Sequence, residues 1–318
     1  MGKIQQIATK AITGGLWASQ NDLLDAHARV LLVNLMLEHI CHVAIVQAAT
    51  LPVGHPTCDM VQGYSRMPAK SHLTPLQKLM ECFKVKPQHY ETIMPDPRPP
   101  TYKRSFTTTI AELKEESIKD KGKDDTDIRI YTDGSGYEGN VGAAAVMFRK
   151  GVKESEKTLR FHLGPLTKHT TFEGKAVGSI LSAWMLQGQT EVGKLAATSY
   201  TNSQAFIKST GARKAGSGQY LVREYLRLME VMNDGANIPS PENTVKFTLK
   251  WVAAHKGVAG NERVDKEVKR VAQGELSPQE ELPPLLQKRL PISAMAVKQE
   301  FTEKQKVTWV EMWKTSPC

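Results

Sequence analysis

The sequence predicts an α/β protein: a mixed five-stranded sheet with helices on both faces, preceded by a helical N-terminal region. Three observations carry this. From Ile128 onward, five short segments rich in β-branched or small apolar residues are separated first by glycine turns and then by helical stretches. Before residue 93, apolar residues recur three and four apart. Between the two, residues 93–127 are crowded with proline and charge. The expected organisation is therefore a helical region over 1–92, a linker over 93–127, the sheet domain over 128–274, and a proline-rich segment with an amphipathic helix over 275–318.

In the first region Ile4, Ile7, Ala8 and Ala11 keep helix spacing until Gly14-Gly15 ends the run. Ser19 or Asn21 is placed to cap a second helix through Leu23, Leu24 and His27. A very apolar third helix covers Leu31 to Ala49. Its Asn34, Glu38, His39 and His42 are too polar for a membrane span, so it reads as a buried helix of a soluble protein. Thr74 to Phe83 forms a fourth, with Pro75 at its first position. His39, Cys41, His42, His55 and Cys58 invite a zinc reading, but they share no helix face and no second C-x-x-C closes the set, so no zinc is expected. The charged run from Lys114 to Asp125 reads as solvated linker.

In the sheet domain the first strand is Ile128 to Asp133, ended by a turn at Gly134-Ser135-Gly136. Val141 to Phe148 and Thr158 to Leu163 follow as hairpin partners. A helix begins near Thr171, with Phe172, Ala176, Ile180 and Trp184 as its apolar stripe. Leu195 to Thr201 is the fourth strand, and a short helix starts after Asn202. Tyr220 to Met232 is a longer helix, Val245 to Val252 the fifth strand, and Asn261 to Gln273 the last helix of the domain. The C-terminal segment carries Phe301, Val307, Trp309 and Trp313 on a docking helix.

Net charge is +9, and the isoelectric point is about 9.2. Between Ile128 and Gln273 there are 21 lysines and arginines against 13 acids, an excess of eight. Nearly all the surplus therefore lies on the sheet domain, where a polyanion would bind it; Lys208, Arg213 and Lys214 are candidate phosphate contacts. The four cysteines have irregular spacing and no basic-apolar leader opens the chain. A reducing, intracellular compartment is expected, nuclear or cytoplasmic.

Few acids sit at element ends. Asp133 closes the first strand, Glu173 lies in the first turn of the first sheet-domain helix, and Asp265 is read in the first turn of the last. Clustered carboxylates repel unless a hard cation neutralises them, and oxygen ligands select magnesium or manganese.

Tyr131-Thr132-Asp133-Gly134-Ser135, Thr171-Phe172-Glu173, Thr201-Asn202-Ser203-Gln204-Ala205 and the run from Trp251 to Asp265 through His255 and Asn261, in that order, resemble a type 1 ribonuclease H domain. Lys3 to Ala8, Ala11 to Gly15 and Leu51 to Pro56 resemble the region following the polymerase in fungal non-LTR retrotransposon reverse transcriptases, although no polymerase motif is present. The resemblance implies two-metal hydrolysis of the RNA strand of an RNA–DNA hybrid with Mg2+ or Mn2+. It would make Asp133 the ligand bridging both ions, Glu173 and Asp265 single-ion ligands, and His255 an aid to proton transfer or product release. Gly134, Ser135, Gly136 and Asn261 would approach the hybrid. The position of a fourth family acid holds Asn202, which brings no negative charge. Weak cleavage is expected from that departure, or a nucleic-acid-binding remnant without catalysis.

Overall fold

The computed structural model describes residues 2–28, 30–63, 73–122, 124–152, 154–189, 196–233, 246–254 and 258–314. The chain divides into two compact units, Met1–Tyr90 with Ala294–Cys318, and Glu91–Ser293. The elements in chain order begin with helices α1 (Gly2–Thr13), α2 (Asn21–His27), α3 (Val33–Ala49), α4 (Cys58–Gly63) and α5 (Pro75–Cys82). Then come strand β1 (Thr107–Thr109), helix α6 (Lys114–Gly122), strands β2 (Ile128–Tyr137), β3 (Asn140–Arg149) and β4 (Lys157–Pro165), and helix α7 (Thr171–Gln187). The rest is β5 (Ala196–Thr201), α8 (Gln204–Gly211), α9 (Gln219–Asn233), β6 (Lys246–Trp251), α10 (Ala259–Ala272) and α11 (Ala294–Lys314).

The first unit is helical, as its periodicity predicts. Thr74 caps α5 through a capping box with Gln77 behind Pro75, so sequence and structure agree at that boundary. Two expectations fail here. Neither Ser19 nor Asn21 caps α2; Gln20 holds that position without a side-chain hydrogen bond. Helix α3 is only half-buried, with Met36, Leu37 and Ile40 exposed. Its inward residues Ile45, Val46 and Ala49 join Val61, Met80, Val85 and Ala294 in one apolar cluster.

The histidines behave as packing residues. His42 is buried and stacks on Phe301 with ring centroids 3.8 Å apart. His39 Nδ1 lies 3.0 Å from Gln305 Oε1. Burial first, then the charges of His39 and Lys298, hold the His42 pKa down at about 4. The unfolded chain binds a proton there near pH 6.5 and the folded chain does not, so stability rises with pH between those two values. Thermal unfolding followed by circular dichroism should therefore show the transition falling as pH drops from 6.5 toward 4, and His42→Phe should flatten that dependence.

The second unit holds a six-stranded sheet in the order β1-β6-β5-β2-β3-β4. β2, β3 and β4 are antiparallel neighbours, while β5 pairs parallel with β2 and with β6. The extra strand is β1, which adds parallel to β6. It falls inside the expected linker, which is not a linker at all. Phe106 enters the main core. Arg98 donates to the carbonyls of Thr210 and Ala212 at the end of α8, at 3.0 and 2.7 Å. Proline stiffens this stretch without freeing it, because its side chains find partners on the domain. The charged run likewise forms α6. Ser117 is buried there and accepts from Ala253 N at 3.2 Å, and Ile118 packs beside Tyr131 and Tyr200.

The expected turn at Gly134–Gly136 is also displaced. β2 continues to Tyr137, and the hairpin turns at Glu138-Gly139, both at positive φ, as a two-residue connection requires. Gly134 serves packing instead. A Cβ there would lie 2.0 Å from the carbonyl carbon of Gly174, and one at Gly178 would lie 2.9 Å from the Asp133 oxygen. Helix α7 therefore crosses β2 backbone against backbone. On the sheet's other face α10 lays Gly260 against the Tyr131 ring, with Val264 and Val268 beside it. Glu267 of α10, fully buried, accepts from Arg160 of β4 at 2.6 Å and fixes that helix to the far strand.

The proline-rich segment after α10 packs as well: Leu282, Leu286 and Leu290 enter the same core as β2 and α7. Helix α11 packs on α3 in the first unit, where Gln305 donates to Leu35 O at 2.8 Å.

Candidate functional site

The sheet's register brings two predicted residues together. Thr132 of β2 stands opposite Thr201 of β5 as the last pair of their parallel ladder, so Asp133, midway along β2, and Asn202, just past β5, follow that pair side by side in the middle of the sheet. Asp133 is 5 % exposed, and its Oδ1 accepts from Gly134 N at 2.7 Å.

The third member is not the one the sequence nominated. One oxygen of Glu173 serves its own helix: Oε2 accepts from Thr170 N at 2.7 Å and Thr170 Oγ1 at 3.0 Å, closing the capping box at the start of α7. Its other oxygen lies 3.7 Å from His169 Nδ1. Lys175, two residues on, reaches Asp133 and Asn202 instead. Its Nζ donates to Asn202 Oδ1 at 2.7 Å and stands 3.9 Å from Asp133 Oδ1. Helical geometry explains the exchange. Two residues turn the side-chain direction by about 200°, so positions 173 and 175 cannot both face Asp133. A signal for this existed in the sequence. Gly174-x-x-x-Gly178 marks the face of α7 that touches β2, and residue 175 borders that face.

Asp265 also differs from its reading. Helix α10 begins at Ala259, so Asp265 lies in its second turn and the first-turn acid is Glu262. Asp265 accepts from Lys269 Nζ at 2.8 Å, one turn along the same helix. That hydrogen bond, then the charge of Asp265 and, further down, that of Asp133, raise the Lys269 pKa.

The remaining candidates are scattered. Asn261 is buried in the first turn of α10. Ser135 is half-buried and Gly136 exposed on the outer part of β2. Lys208 and Lys214 are exposed. Arg213, also exposed, donates to Arg98 O at 2.8 Å. His255 lies outside the described residues.

These residues do not fit a pair of hard divalent cations. Among the described residues no three histidine, cysteine or acidic side chains gather into a metal-binding group. Asn202, the expected oxygen donor, already accepts from an ammonium; Glu173 gives Oε2 to its helix cap, and its Oε1 is buried without a hydrogen-bond partner. A dication seated on Asp133 would meet Lys175 at roughly 4 Å, where the repulsion is on the order of 8 kcal/mol at an effective dielectric of about 20. The arrangement is one buried carboxylate with a half-exposed lysine beside it, in the middle of the sheet of a basic domain.

Comparison with known proteins bears on this unit. Residues 125–273 match the family model described as RNase H. No curated protein sequence matches the chain. Among solved structures, RNase H1 from the halophilic archaeon Halobacterium salinarum is similar at 15% identity, covering 46% of this chain and 98% of that one, with a TM-score of 0.33. An N-terminal RNase H domain from Mycobacterium tuberculosis is similar at 16% identity, over 45% and 96% of the two chains, also at 0.33. LC11-RNase H1, solved in complex with an RNA/DNA hybrid, is similar at 13% identity over 46% and 99%, again at 0.33.

Proposed function

We propose, from the match of residues 125–273 to the RNase H family, that this unit binds RNA–DNA hybrids across the site at Asp133 and hydrolyses their RNA strand poorly. The match supports the hybrid as substrate class. A hybrid is read by shape and by its 2′-hydroxyls across a wide minor groove, and the basic excess of the domain supplies the sequence-independent attraction to phosphate. The observation that argues for impaired cutting is Lys175 Nζ against Asn202 Oδ1 at 2.7 Å, where two oxygen ligands would otherwise receive a cation. The retrotransposon origin suggested by the N-terminal motifs is part of this reading and rests on those residues alone.

Asp133 remains in the site as the group that would orient a water or a 2′-hydroxyl. Lys175 neutralises it and offers its remaining N–H groups outward. Restoring the acid at 202 alone should change little, because Lys175 then pairs with a carboxylate in place of an amide oxygen. On a labelled RNA–DNA duplex, the chain and Asn202→Asp should both bind while releasing RNA fragments slowly. Rapid cleavage by the unaltered chain would sink the reading of an impaired site, and no binding at any salt concentration would sink the reading of the substrate.

A further inference from the structure

We infer that Lys175 is a built-in counter-charge, holding the place of a divalent cation, so that this site takes a phosphodiester without metal. The inference rests on the hybrid reading above and goes beyond it in stating how phosphate is received. Three observations carry it. The Lys175 ammonium lies between Asn202, just past β5, and Asp133 in β2, 2.7 Å from Asn202 Oδ1 and 3.9 Å from Asp133 Oδ1. Among the described residues, no other side chain bonds or ion-pairs with both of these. Its side chain is 26% exposed while that of Asp133 is 7% exposed, so the ammonium, not the carboxylate, is what an incoming polyanion meets.

The chemistry is consistent at each end. An ammonium has three donors and no acceptor. One donor is used by Asn202, which leaves others for a non-bridging phosphate oxygen. An amide at 202 suits this role better than an acid would: it orients the lysine without cancelling the positive charge that phosphate needs. Helix α7 keeps the lysine in place, because its backbone is pressed on β2 at Gly174 and Gly178. Asp265 on α10 is likewise paired, with Lys269 at 2.8 Å.

The test uses the full chain. Titration with Mn2+ alone, followed by the loss of free-ion electron paramagnetic resonance signal, should show no uptake by the unaltered chain. Lys175→Glu/Asn202→Asp should bind Mn2+ at least about tenfold more tightly. Hybrid binding by fluorescence anisotropy, at matched ionic strength, should change by less than about twofold between EDTA and Mg2+. Lys175→Met should weaken it and lower the salt slope by about one. Mn2+ uptake by the unaltered chain that Asp133→Asn abolishes would overturn the inference, as would hybrid binding that EDTA eliminates. If the double variant does not fold by circular dichroism, the comparison of the unaltered chain with Asp133→Asn carries the same decision. Absence of hybrid binding in every buffer overturns the function proposed above, and the Mn2+ titration still decides the counter-charge independently.

Discussion

Lys175→Glu combined with Asn202→Asp should raise hybrid cleavage in Mg2+ by on the order of 10³-fold over the unaltered chain. The reasoning is electrostatic. The unaltered site offers one carboxylate, one amide and one ammonium. The double variant offers three carboxylates at the same positions, Asp133 with the new groups at 175 and 202. It also removes the positive charge whose repulsion of a dication is on the order of 8 kcal/mol. Neither single change achieves this. Asn202→Asp alone hands the lysine a better partner, and Lys175→Glu alone leaves an amide in the ligand set. Cleavage of a labelled hybrid by the four chains is the measurement, and the effect should be strongly more than additive. A double variant no faster than the unaltered chain would mean that the site at Asp133 is not where the hybrid is cut.

The second large effect is on stability. Gly134→Ala should lower the thermal midpoint of the sheet-containing unit by on the order of 10 °C, corresponding to about 3 kcal/mol. The added methyl would sit 2.0 Å from the Gly174 carbonyl carbon and 2.3 Å from Lys175 N. These are backbone atoms of a helix, so no rotamer change relieves the clash; α7 must lift from β2. The same lift would carry Lys175 away from Asn202. Gly139→Ala is the control. A Cβ there meets nothing within 4 Å, although its φ of +79° is unfavourable to alanine, so it should cost only about 1 kcal/mol. Calorimetry on both variants separates close packing from turn geometry. Equal losses would show that the approach of α7 to β2 contributes nothing special.

Much of the fold was legible in local pattern. The five strands from β2 to β6, α7 and α9 follow from periodicity and turn residues, because alternation and 3.6-residue spacing report which side of an element is buried. β1 was not legible. Thr107–Thr109 is three polar residues after a proline-rich run, and what makes it a strand is the free edge of β6 beside it. The charged helix α6 escaped for the same reason: its few inward groups, Ser117 and Ile118, are anchored by distant partners.

The site was half legible. Asp133 and Asn202 could be found because each lies in a recognisable segment, and the pairing of β2 with β5 then sets them side by side. Glu173 was drawn in by the same segment, yet in the fold it serves its own helix start, which is the ordinary use of an acid at that position. Lys175 is marked only indirectly, by the Gly174-x-x-x-Gly178 spacing beside it. The strand succession, the acid at 133 and the missing charge at 202 depend on neighbours along the chain and were readable there. Which residue of α7 faces them is set by packing in three dimensions. That choice depends on how a helix is rotated against a strand, and here Gly134, Gly174 and Gly178 fix the rotation by letting two backbones touch.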